Sequence, residues 1–125
     1  MARTTKTKTA LLGSYPTLPL TANSADFVFS ALTGSSGSSG NQIDFGDFTK
    51  LLVLVQNSDP TNPYTVTFTS RVDNLNRTGD ITAYTLQATE FGVFFFERQG
   101  WRQTDGMLYL EGSNAAIKVA AFGLQ

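Results

Sequence analysis

Two carboxylates at a suitable separation are enough for glycoside hydrolysis, and this 125-residue chain has ten Asp and Glu to draw on. Nothing in their spacing selects a pair. Asp59, Asp73, Asp80 and Asp105 fall at turns and strand ends, where aspartate is favoured because it hydrogen-bonds nearby backbone. Neither histidine nor cysteine is present. Their absence removes the commonest general base and the thiolate nucleophile, and with them Ser-His-Asp, Cys-His and ordinary zinc chemistry. No catalytic residue, metal or cofactor is expected, and the chain is not read as an enzyme.

Three further groups of residues invite a binding reading. Asp73, Asn74, Asn76 and Asp80 offer oxygen ligands in "DNLNRTGD", but the spacing is not that of an EF-hand and a polar turn explains them. Tyr84, Trp101 and Tyr109 are aromatic planes of the kind that stack on sugar rings, against which stands the commoner fate of such residues in a core or interface. Arg3, Lys6 and Lys8 make "ARTTKTKTA" basic, while the remainder carries six basic and ten acidic residues, a net of −4. Three cations without interleaved aromatics give little affinity for nucleic acid at physiological salt, so contact with an acidic protein partner is expected of them. Asn76 opens an "NRT" glycosylation sequon, which carries meaning only in a secreted chain. The N-terminus lacks the pattern of a signal peptide, and an origin in the cytoplasm is expected.

The elements that would position these residues are strands. No segment sustains a 3.6-residue apolar period, whereas aromatic and β-branched runs alternate with turn clusters. Residues 1–23, rich in threonine and carrying Pro16 and Pro19, are expected to form an extended, loosely held arm whose removal leaves the rest folded. Residues 24–125 are expected to form one all-β domain, an antiparallel β-sandwich of seven or eight strands, jelly-roll-like or immunoglobulin-like. The strands are placed at 26–32, at a short "IDF", and at "KLLVLVQN", "YTVTFTSRV", "ITAYTLQ", "EFGVFFFE", "MLYLE" and "AAIKVAAFGLQ". In "YTVTFTSRV", Tyr64, Val66, Phe68 and Val72 are expected inward. "TGSSGSSGNQ" reads as a flexible loop, Gly79 as a site of positive φ, and "TDG" at 104–106 as a hairpin turn.

Three of these strands, at 51–55, 91–96 and 117–124, are apolar on both sides. A two-layer sandwich covers one side of each sheet. Leaving Leu52, Leu54, Phe94, Phe96, Phe122 and Leu124 in water would forgo roughly 1.5–3 kcal/mol of burial for each large side chain, and such a patch usually marks a partner. These six residues are therefore the expected interface. A homo-oligomer is anticipated, a trimer favoured, because a ring would also gather several basic arms on one side.

The blocks "LLVLVQNSDPTNPYTVTFTS", "NRTGDITAYTLQATEFGVF" and "GWRQTDGMLYLEGSNAAIKVAAFGL" resemble small structural proteins of tailed bacteriophages, and in size and β character the chain is similar to head decoration or cement proteins. The likeness spans 51–124, with its best-defined marks at 77–80 and 100–106. It implies a jelly-roll-like sandwich on the outer surface of a virion capsid, made in the host cytoplasm. There it would bind the major capsid protein and clamp neighbouring capsid subunits, with no catalytic residues to transfer. Apart from the resemblance, apolar runs too short to span a bilayer and a net charge of −1 lead us to expect no membrane and no direct nucleic-acid partner. A neck, tail or collar component is the nearest rival within virions. A carbohydrate-binding module that exposes Tyr84, Trp101 and Tyr109 on one face is the rival from another class.

Overall fold

The computed structural model describes residues 3–10, 27–32 and 40–124. The Gly/Ser loop at 33–39 and residues 11–23 of the expected arm lie outside the described residues. In chain order the strands are β1 (Thr4–Lys6), β2 (Lys8–Ala10), β3 (Ser30–Ala31), β4 (Asn41–Asp44), β5 (Lys50–Asn57), β6 (Tyr64–Thr69), β7 (Ile81–Leu86), β8 (Phe91–Glu97), β9 (Met107–Gly112) and β10 (Ile117–Leu124). A single turn, α1 (Arg98–Trp101), follows β8, with non-helical dihedrals at Gln99 and Gly100.

The chain is an all-β sandwich. One sheet runs β1-β4-β9-β6-β7 and the other β2-β10-β5-β8, with β3 pairing the free edge of β10 beside β2. Both sheets are mixed rather than wholly antiparallel, since β1 pairs β4 and β2 pairs β10 in parallel. Both parallel pairs come from the stretch expected to hang loose. Residues 4–6 and 8–10 are edge strands, one in each sheet. A short strand laid along an existing edge satisfies its backbone polar groups at little cost in side-chain pattern, which is why no periodicity announced them.

Alternation sets the layers. Leu51, Val53 and Val55 of β5 face Val66 and Phe68 of β6, Leu108 and Leu110 of β9 and Ile43 of β4 across one core. Ile117, Val119 and Ala121 extend that core along β10. Tyr64 packs against it as expected, but Val72 lies beyond the end of β6 and is exposed. In the loop that follows, positive φ falls at Asn76 and not at Gly79. The turn at 104–106 forms, with Gly106 at φ +90, yet it joins strands of different sheets and is no hairpin.

Asn57 is the polar counterpart of this core. It is fully buried, and its amide donates to the carbonyls of Asn62, Leu86 and Gln87 at 2.9–3.2 Å while its oxygen accepts from Asp59 N. One side chain thereby ties the end of β5 to the following loop and to the end of β7.

Candidate functional site

The carboxylates singled out by type are spent on local backbone. Asp59 Oδ1 accepts from Thr61 N and Asn62 N, and Asp73 Oδ1 from Leu75 N and Arg77 N, each at 2.8 Å. These backbone donors hold both carboxyls below their usual range, the opposite direction from a general acid. Asp80 accepts from Ser70 N and Oγ, and Asp105 from Met107 N and the Tyr109 hydroxyl. With Asp73 turned on its own loop and Asp80 clipped to Ser70, the oxygens of "DNLNRTGD" do not converge. Among the described residues no group of three or more Asp and Glu could hold a metal ion. An open groove of about 530 Å³ lies between the 71–74 loop and the 98–100 turn and carries Arg71 and Arg98. It gathers no acid pair.

The three aromatic rings do not share a face. Tyr84 stands edge-on to Phe94 at 5.3 Å, on the inner side of its sheet. Trp101 packs on Phe96 at 4.7 Å, half-buried. Tyr109, opposite Thr69 on the outer side, lies beneath the Arg3 guanidinium, 3.9 Å from its ring centroid. No flat aromatic platform results.

The cations expected to reach a partner are likewise used within the chain. Arg3 pairs with Glu111 and donates to Asn41 O. Lys6 Nζ donates to Ala31 O at 2.6 Å, and its partial burial lowers its pKa. Lys8 Nζ lies over the Phe48 ring at 5.6 Å.

What remains is the outer face of the second sheet, and there the structure turns β8 the opposite way from the expectation. The register pairs Leu51 with Phe96 and Val53 with Phe94, so Phe94 and Phe96 point into the core. Phe96 is 1% exposed, and its ring and that of Phe94 both pack on Phe68. Phe91, Val93 and Phe95 point outward, 62%, 64% and 51% exposed. Gly92 belongs to the inner row, where a Cβ would sit 3.2 Å from the Phe94 ring and 3.4 Å from Leu86. That space is already filled.

On β5 and β10 the expected parity holds. Leu52 lies between Phe95 and Phe122, and Leu54 between Val93 and Ala120. Leu52, Leu54 and Leu124 are half-buried. Phe122 is 6% exposed because Phe27 stands edge-on to it at 4.9 Å. Phe29 continues this cover, 6.0 Å from Phe27 and 5.9 Å from Phe91. Residues 27–29 therefore cap part of the outer face, and Phe91, Val93 and Phe95 form its open margin. Lys50 Nζ rests over Phe95 at 5.8 Å. Periodicity could not single out these three, since both sides of β8 are apolar.

Among the described residues no helix is long and apolar enough to cross a membrane. Compared with family models, curated proteins and solved structures, the chain matches none.

Proposed function

We propose that this chain is a structural protein of a bacteriophage head, a decoration or cement protein. In this reading it binds the major capsid protein on the outside of the shell through the outer face of its second sheet. The observation that carries the proposal is the margin formed by Phe91, Val93 and Phe95, three large side chains more than half exposed in one row. Together with Leu52 and Leu54 behind them, they make a surface suited to a flat apolar partner.

The strand order supports a jelly roll. Strands β3 to β10 divide as β3-β10-β5-β8 and β4-β9-β6-β7, and every connection except β6 to β7 changes sheet, as two interlocked Greek keys require. A clamp needs no chemistry. A protein that binds only where neighbouring subunits are correctly apposed stabilises the assembled shell by mass action.

Particles from the source lysate, labelled with gold-conjugated antibody against this chain, test the proposal. Label on the outer surface of heads is expected. Label confined to necks or tails would favour a collar or tail component, and absence from particles would overturn the virion reading.

A further inference from the structure

We infer that β8 pairs antiparallel with β8 of a second copy, about a two-fold axis at Phe94, extending the second sheet across a dimer. The inference rests on the edge of β8 and not on the capsid reading.

Strand β8 ends its sheet, and no described strand lies beyond it. Its hydrogen-bond phase follows from two bonds. Asn57 N donates to Glu90 O, and Arg98 N donates to Thr49 O. With the register between β5 and β8, these identify 90, 92, 94, 96 and 98 as the residues whose backbone groups turn toward β5. The N–H and C=O groups of Phe91, Val93, Phe95 and Glu97 therefore turn to the open edge. A seven-residue edge that is apolar but for Glu97 is a template for another strand.

Charge selects the register. A two-fold at Phe94 sets Val93 opposite Phe95 and Phe91 opposite Glu97, so all four outward-turned residues find partners in the correct phase. It also places Glu90 of each copy opposite Arg98 of the other, an opposite-charge pair at each end. Within one copy Glu90 Oε1 accepts from Gln87 N, and Arg98 Nη2 donates to Gly46 O and Phe48 O on the β5 side, so the pair across the axis forms when the guanidinium turns from those carbonyls toward the edge. A two-fold at Val93 instead sets Glu90 against Phe96, and one at Phe95 sets Arg98 against Gly92. An axis between residues 93 and 94 opposes Glu90 to Glu97 and puts the backbone groups out of phase. Like charges so placed are unfavourable.

The consequence is a doubled outer face. Along it Leu54 and Val93 of one copy continue into Phe95 and Leu52 of the other, so the apolar margin of a monomer becomes the centre of a dimer. The fold thus points to a two-fold pair in place of the trimer favoured by the sequence.

Sedimentation equilibrium of the full chain across a wide concentration range provides the test. Wild type is expected to form a dimer. Glu90→Arg alone and Arg98→Glu alone each place like charges together twice in the homodimer, and each is expected to weaken it by about tenfold or more. Mixed in equal amounts, the two variants form a pair in which both ends are complementary, and dimer returns. Val93→Pro removes an edge donor at a position where proline is tolerated and is expected to give monomer with an unchanged fold by circular dichroism. This variant keeps the test sound should Arg98→Glu disturb the turn that its side chain holds. A wild-type monomer at all concentrations, or oligomers of Val93→Pro as stable as those of wild type, would overturn the inference.

Discussion

Arg3 Nη1 lies 2.8 Å from Glu111 Oε1, with both side chains almost wholly withdrawn from water. The pair sits against Gly40, where a Cβ would come 2.5 Å from Glu111 Oε1, so a larger residue there would displace the pair. Arg3 also stacks over Tyr109 and bonds Asn41 O. The N-terminal segment is thereby locked to β4 and β9 by contacts as specific as any in the core.

Breaking a buried ion pair from one side leaves the other charge without a partner, at about 3–5 kcal/mol. Arg3→Ala is expected to destabilise the chain by roughly the lower end of that range, read from urea unfolding, and adding Glu111→Gln is expected to recover part of the loss. Deletion of residues 1–10 should likewise destabilise the sandwich. Unchanged midpoints would mean that the segment is not held as described.

Phe95 and Phe96 are neighbours with opposite fates. Phe96→Ala opens a core cavity and is expected to cost about 3–5 kcal/mol. Phe95→Ala, at an exposed site, is expected to cost less than about 1 kcal/mol. Urea denaturation of the two variants side by side checks which way β8 faces, and the reverse order would invert the sheet.

Replacing Asn57 by Ala withdraws the donor from three carbonyls at once. A loss of about 2–3 kcal/mol is expected from leaving buried acceptors unpaired. Asn57→Asp should be worse, because it sets a carboxylate among carbonyl oxygens. Thermal melts at neutral pH measure both.

Tyr109 donates to Asp105 Oδ2 at 2.6 Å, and this hydrogen bond, with burial and the Asp105 charge, raises the phenol pKa against the opposing pull of Arg3. A folded-state pKa above the unfolded one means that the native state holds the proton more tightly. The stabilisation is complete below the ordinary phenol value of about 10 and is lost as pH rises through the folded value. Stability should fall more steeply on the alkaline side for wild type than for Tyr109→Phe, as unfolding midpoints across that range will reveal.

Strands with one wet face, such as β6, were legible in the sequence because threonine alternates with Val66 and Phe68. Strand β5 was legible in extent and in parity. Strand β8 was legible as a strand but not in its facing, since phenylalanine occupies both sides. Its direction is set by the register with Leu51 and Val53 and by the ring of Phe68, contacts distant in sequence, and by the nearer rings of Tyr84 and Trp101. The edge strands β1 and β2 are too short for periodicity to mark, and the cover that Phe27 gives Phe122 depends on where the chain re-enters the sheet.

If the outer face of the second sheet is the binding surface, as proposed, its exposed rings carry the contact. The double variant Phe91→Ser, Phe95→Ser tests it directly when compared with wild type for co-sedimentation with particles from the source lysate. The double variant is expected to keep its circular dichroism and melting behaviour but no longer to pellet with the particles. A double variant that pellets as wild type does would contradict it.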